Sequence, residues 1–368
     1  MKFKHSISLF VGLVLASIFM ISCGENNDDS GLEPLTAEMD FVSLLTNQVD
    51  EVIIPSMTEF QSSMTSFLGA AVSFSDDLSQ ENLTRLVDEY QNAYLSYQAA
   101  AVHNYFATAN QALVVTTNLY PVDINLLATF IENQSFNFNT SAQERANGFP
   151  ALDFMFFGNE NTLQYFQEDS KRVDFLVALV QSIKDRSDIL VSQWTGSLRG
   201  NFITNGGTEL GSSISVQLND HIGYYENHIR ENKVGIPIGR LGPNDDLIEA
   251  DGTKIEAYYQ SLVDGDDRFA LQLLRAAVEE VEDLYFGTTT TGENEQGYDD
   301  LVITFSNPSI NEDITARFNS IYSVIDSRTN ISGDESLYDA IQEIVTLYKS
   351  DLFPVLNVQD ADGANDGD

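Results

Sequence analysis

Along most of the chain, apolar residues recur every three or four positions. Leu83, Leu86, Val87, Tyr90, Tyr94, Tyr97 and Ala101 form one stripe. Val173, Leu176, Val180, Ile183, Ser187, Leu190 and Trp194 form a second, and Leu337, Ile341, Ile344, Val345, Tyr348 and Leu352 a third. This is the period of an amphipathic helix with one buried face. It predicts long helices over 36–74, 79–107, 169–196, 214–232, 266–286, 312–328 and 334–351, with shorter ones over 122–133 and 297–303. Pro55 lies inside the first and is expected to kink it. Alternating patterns are scarce: "SSISVQL" (212–218) is the most strand-like piece, and it runs into a helical stretch. The fold class expected is all-α, built of up-and-down helical bundles.

Two segments break the helical rhythm. Residues 196–213, rich in Gly, Ser, Thr and Asn, read as a linker, and 287–297 ("GTTTTGENEQG") as an exposed loop. The expected organisation is an N-terminal bundle over 36–196, a linker over 197–213, a C-terminal bundle over 214–356 and an acidic tail over 357–368, frayed at its end. The start of the chain is different. Lys2 and Lys4 precede an apolar stretch too short to span a membrane comfortably, and Met20-Ile21-Ser22-Cys23 resembles a bacterial lipobox. Residues 1–22 are therefore expected to be a lipoprotein signal peptide, with Cys23 lipidated and 23–35 a flexible acidic tether. Cys23 is the single cysteine, so no intramolecular disulfide forms and the core must hold the fold.

Composition narrows the function. The net charge is −38, and it becomes −40 once residues 1–22, with two lysines and no acid, are removed. Phosphate backbones need clustered Lys and Arg, so nucleic acid is excluded as a partner. The remaining partners are the membrane, reached through the acyl chains on Cys23, and cations. Gly24 after the lipidated cysteine favours the outer membrane, on its periplasmic or surface-exposed side.

The most unusual stretch is "NGFPALDFMFFG" (147–158). Ser141 to Glu144 has capping-box spacing and is expected to open a short helical turn that Gly148 ends. Pro150 suits the first position of a new helix, and Asp153 then falls in its first turn, where the helix dipole favours a negative charge. Ala151, Leu152, Phe154, Met155, Phe156 and Phe157 cover every side of that helix, so it should be buried. A buried carboxylate needs hydrogen bonds, a cation or a proton. The candidate cations are Arg145, Arg230, Lys233 and Arg240; the alternative is direct contact of Asp153 with a ligand or metal.

Several segments together resemble the imelysin family. Its hallmark is Gly-x-His-x-x-Glu opening a helix that runs into an "EYLLFG"-like stretch. Gly148-Phe149-Pro150-Ala151-Leu152-Asp153 occupies that frame, followed by Phe154 to Gly158. "VIIPSMTEF" (52–60), "NLYPVDIN" (118–125) and "NKVGIPIG" (232–239) resemble the family's first helix and internal loops. "LYKSDLFPVLNVQDADGANDGD" resembles the end of lipoprotein members from Bacteroidetes-type bacteria. The resemblance spans nearly all of 36–368. It implies two helical-bundle domains with the motif near their interface, and Lys233, Gly235, Pro237, Gly239 and Arg240 in a loop at the domain junction. It also implies one of two activities: an insulin-cleaving type of metallopeptidase, or a role in iron uptake. Pro150, however, stands where the family has histidine and carries no ligand atom, and Asp153 replaces a longer glutamate. A His and a Glu three apart share a helix face and can hold one metal; here one possible ligand, Asp153, is left.

Other patterns are weaker. The histidines beyond the signal segment are His103, His221 and His228, and no His-Glu-x-x-His occurs. His228 to Glu231 has ligand spacing but reads as a solvated helix end with Glu231 paired to a basic neighbour. Asp360, Asp362, Asp366 and Asp368 lack the ligand order of a calcium loop. Tyr90, Tyr94, Tyr97, Tyr105, Tyr224, Tyr225, Tyr258 and Tyr259 read as core residues with a wet edge. The function expected is a non-enzymatic binding lipoprotein linked to iron or haem acquisition, with a divalent metal, ferric iron or haem as candidate ligand and iron- or haem-uptake proteins as partners. The alternatives are a metallopeptidase in which Asp153 and His221 or His228 share a metal, and a surface lipoprotein that docks a partner.

Overall fold

The helical period of the sequence reappears in a computed structural model, which describes residues 41–103, 113, 114, 116–134, 136–138, 145–241, 246–305 and 307–361. The signal segment, Cys23, the acidic tether, Tyr105, the Ser141–Glu144 capping box and Asp362, Asp366 and Asp368 lie outside the described residues. Helix α1 runs through Phe41–Asn47, a π-helical stretch Gln48–Ile53 and Ile54–Asp76. Then come α2 (Gln80–Val102), α3 (Ile124–Asn133), α4 (Gly148–Phe157), α5 (Thr162–Gln167), α6 (Ser170–Trp194) and α7 (Ser197–Thr204). Helix α8 comprises Ser213–Tyr224, the π-helical Tyr225–Gly235 and a last turn Ile236–Ile238. A two-stranded antiparallel ribbon follows, β1 (Arg240–Leu241) and β2 (Asp246–Leu247), with Arg240 opposite Leu247. The chain continues with α9 (Tyr258–Asp264), α10 (Arg268–Phe286), α11 (Tyr298–Thr304), α12 (Ser309–Asp326) and α13, made of Ser336–Leu347, π-helical Tyr348–Leu352 and Phe353–Leu356.

The all-α expectation holds, and most helix ends among the described residues lie within a few positions of those expected; α8 and α13 run on past theirs, to Ile238 and Leu356. Helix α1 packs between α2 and α6; α12 packs on α13, which also meets α8. Helix α10 lies along α2, so one continuous apolar core runs through both groups. Two elements differ from expectation. The Gly- and Ser-rich 197–213 stretch contains α7, because Phe202 and Ile203 are buried and Phe202 meets Trp194 edge-on at 5.6 Å. "SSISVQL" is helical almost throughout, since Ile214, Leu218 and Ile222 bury one face at four-residue steps.

Prolines inside helices are accommodated by a common device. Pro55, Pro237 and Pro354 each stand two residues beyond the end of a π-helical stretch. A proline ring collides with the carbonyl four residues back in a regular helix. Those carbonyls belong to Glu51, Lys233 and Ser350, all inside the widened turns, which carry them clear. This also corrects the expectation of a loop at 233–240. Lys233, Gly235 and Pro237 remain helical, and the chain leaves the helix only at Gly239, which takes a left-handed φ of 86° before Arg240.

Candidate functional site

The site is built around α4, whose entry is fixed by Gly148. Gly148 has a φ of +71°, and a Cβ there would stand 2.0 Å from the Thr117 carbonyl oxygen. Only glycine fits. Asn147 caps the helix: its Oδ1 accepts from the Gly148 amide at 2.7 Å, and its Nδ2 donates to the Phe138 carbonyl at 3.0 Å. Gly148 therefore begins α4 rather than ending the helix before it, and Pro150 falls at the third position, not the first. Phe149 stacks on Tyr94 at 4.3 Å with nearly parallel rings, which seats α4 against α2.

Asp153 then lies in the second turn of α4, away from that helix's own N-terminus, and is 2 % exposed. Its partners are two backbone amides of α9: Tyr259 N–H donates to Oδ2 at 2.7 Å and Gln260 N–H to Oδ1 at 3.2 Å. These are the second and third amides of a helix, the pair a capping side chain normally satisfies. The local cap residue is Ala257, which has no acceptor and sits at φ +52°. Asp153 supplies from α4 what Ala257 cannot. Burial pushes its carboxyl up to about 7, while the two amides pull it back and Asp264 adds to the rise.

Of the four cations expected as partners of Asp153, Arg230, Lys233 and Arg240 are engaged elsewhere. Arg230 donates to Gln342 at 2.6 Å and pairs with Glu231 at 3.0 Å. Arg240 pairs with Glu335 at 3.0 Å. Arg145 has an exposed side chain, and its carbonyl accepts from the Asp123 amide. Lys233 is 4 % exposed and forms a buried ion pair with Glu256, donating also to Gln98 at 2.8 Å. Glu256 further accepts from Asn118 and Gln98, and Asn118 accepts from the Tyr94 hydroxyl at 2.6 Å. This network, tying α2, α8 and the lead-in to α9 together, was missed from sequence. The signal was present: Glu256 is a lone acid in "IEAYY" (255–259), the pattern that drew notice to Asp153.

Pro150 and Asp153, three residues apart on one face of α4, both line a cavity of about 290 Å³. Its other walls come from Tyr120, Pro121 and Ile124 on one side and from Ile255, Tyr258 and Tyr259 on the other. The family's motif frame thus faces a cavity, with one carboxylate in it. The donors do not suit a metal ion: proline has none, and Asp153 is a single carboxylate that already accepts two amides. Among the described residues no group of three His, Cys, Asp or Glu is placed to hold an ion. His221 is buried beside Tyr348, and burial lowers its pKa to about 3. His228 shares a hydrogen bond with Asn232 at 3.2 Å, is itself mostly buried and has its pKa lowered to about 4, so it is not a solvated helix end. Glu231 does pair with a basic neighbour, Arg230. Neither histidine lines the cavity. His103 instead pairs with Glu280, which also accepts from Ser56 at 2.7 Å.

A family model described as Imelysin matches residues 53–348. Two solved structures share the fold. One, from Parabacteroides distasonis and described as an iron-regulated protein A precursor, is 15 % identical with a TM-score of 0.70, covering 86 % of this chain and 94 % of its own. The other, an imelysin-like protein from Psychrobacter arcticum, is 16 % identical with a TM-score of 0.68, covering 88 % of this chain and 97 % of its own. No curated protein sequence matches.

Proposed function

The chain belongs to the imelysin family, and from that premise we propose that it is a non-enzymatic binding member, anchored to the outer membrane through lipidated Cys23 and linked to iron or haem acquisition. The observation that carries the reading is the state of the motif frame. Pro150 offers no donor, and Asp153, each of whose oxygens accepts an α9 amide, is the one carboxylate left in the frame. What remains is a small, mostly apolar cavity, the form that ligand sites commonly take. The iron link is supported by the name of the Parabacteroides relative, iron-regulated protein A precursor. At about 290 Å³ the cavity is near the lower end of small-molecule sites, which span about 300 to 1,000 Å³. An iron carrier would enter it by an edge or substituent, with the metal held by its own chelating groups.

The test is calorimetric titration of residues 23–368 with ferric ion, zinc and hemin, for the wild type and Asp153→Asn, beside a peptide-cleavage assay with and without chelator. The expected result is no chelator-sensitive cleavage and no stoichiometric zinc or ferric site that depends on Asp153. Cleavage that a chelator abolishes and Asp153→Asn removes would establish the metallopeptidase alternative, with activated water as nucleophile. Failure of all three ligands to bind either protein sinks the direct metal or haem version and leaves partner docking, which copurification of an uptake receptor would support.

A further inference from the structure

We propose that the cavity beside Asp153 binds a small organic cation, an alkylammonium or quaternary ammonium group. This deepens the reading of that cavity as the binding site and rests on it. Three tyrosines, Tyr120, Tyr258 and Tyr259, share its lining with two prolines and aliphatic side chains, and Asp153 is the acid in the wall. Aromatic faces attract an ammonium group through the ring quadrupole, most strongly where water is displaced. A carboxylate has about four lone-pair positions. The two α9 amides take one on each oxygen, so each oxygen keeps a further one.

The charge around the cavity points the same way. Every Lys and Arg beyond Lys4 is among the described residues, and none lines the cavity. Beside the lining residues in sequence stand Asp123, whose side chain caps α3, and Asp251, which pairs with Lys254. Asp264 on α9 adds negative potential at Asp153. Lys254, the nearest basic residue in sequence, is turned to Asp251 at 3.5 Å. Lys233 is spent on Glu256 behind the wall. An anion entering here meets the Asp153 carboxylate with no counter-charge in the lining. A bare metal ion finds one carboxylate and no second strong donor. An alkylated ammonium needs only what is present: one carboxylate, π faces and apolar contact for its methyl or methylene groups. Burial has already raised the carboxyl of Asp153 to about 7, and a cation in the cavity would supply the compensation that water supplies to an exposed acid.

The experiment uses residues 23–368 and two probes of one shape: choline and its neutral tert-butyl isostere, in which carbon replaces the charged nitrogen. Binding is followed by calorimetry and by the aromatic resonances of Tyr258 and Tyr259. Choline is expected to bind at least tenfold tighter than the isostere and to shift those resonances. Tyr258→Leu should weaken choline at least tenfold while changing the isostere much less. The comparison of the two probes on the wild type stands even where a substitution fails to fold. Equal affinity of choline and isostere, with both shifting the tyrosines, overturns the cation assignment and leaves the cavity as an apolar site. Choline binding that leaves the tyrosines unmoved, or no binding of either probe, overturns the cation assignment, while the cavity as the site of an iron carrier stands or falls by the hemin titration.

Discussion

At the scale of single residues, Asp153 changes meaning when its partners are seen. A lone acid in an apolar helix was legible in the sequence, and so was its need for compensation. Its partners were not, because backbone amides 106 residues away carry no letter. The nearest clue was negative: Ala257, at the start of α9, cannot cap. A pH dependence follows. The folded carboxyl titrates near 7 against an ordinary 3.8, so the native state holds the proton more tightly than the unfolded chain. Stability from this group is therefore greatest in acid and falls as pH rises from about 4 to 7, by at most ~4 kcal/mol. Asp153→Asn lacks this titration. Its deficit relative to wild type in urea unfolding should be larger at pH 5 than at pH 8; a deficit that grows with pH would show the amides outweighing burial. His221 runs the opposite way. Its folded pKa of about 3 lies below the ordinary 6.5, so its contribution is lost as pH falls through that window. Neither ring nitrogen has a hydrogen-bond partner. His221→Phe should raise stability at pH 5 by about 2 kcal/mol more than at pH 7, measured by thermal unfolding.

At the scale of elements, the helices were readable from period alone because each buries one stripe. What the period hid was local. Phe202 and Ile203 place a helix, Ser197–Thr204, in the first half of the stretch expected as a linker, since two large side chains outweigh the glycines around them. The widened turns before Pro55, Pro237 and Pro354 were invisible because a proline in a helix signals a kink, while the chain can instead widen the turn preceding it. The entry to α4 is the most exacting of these local features. Gly148→Ala places a Cβ against the Thr117 carbonyl in a left-handed backbone, and should cost at least ~2 kcal/mol of stability in chemical unfolding. A loss under half that size would mean that the 116–118 segment moves aside freely.

At the scale of the whole molecule, the Lys233–Glu256 pair joins α8 and the lead-in to α9, with Gln98 and Asn118 bringing in α2 and the segment after it. Removing one member of a buried pair leaves a charge without compensation, about 3–5 kcal/mol, whereas replacing both with apolar residues costs less. Lys233→Met should therefore destabilise more than Lys233→Met combined with Glu256→Leu; additive losses in a double-mutant cycle would contradict the coupling. The same network braces the wall that carries Ala257, Tyr258 and Tyr259, so the cavity and the core are one construction. Its central feature is that the acid in the family's motif frame caps helix α9 by accepting the Tyr259 and Gln260 amides. The most direct measurement is hydrogen exchange at the Tyr259 and Gln260 amides of residues 23–368, with and without saturating zinc. Both amides are expected to be protected and zinc to leave them unchanged. Amides that exchange freely, or that lose protection when zinc draws the carboxylate away, would contradict it.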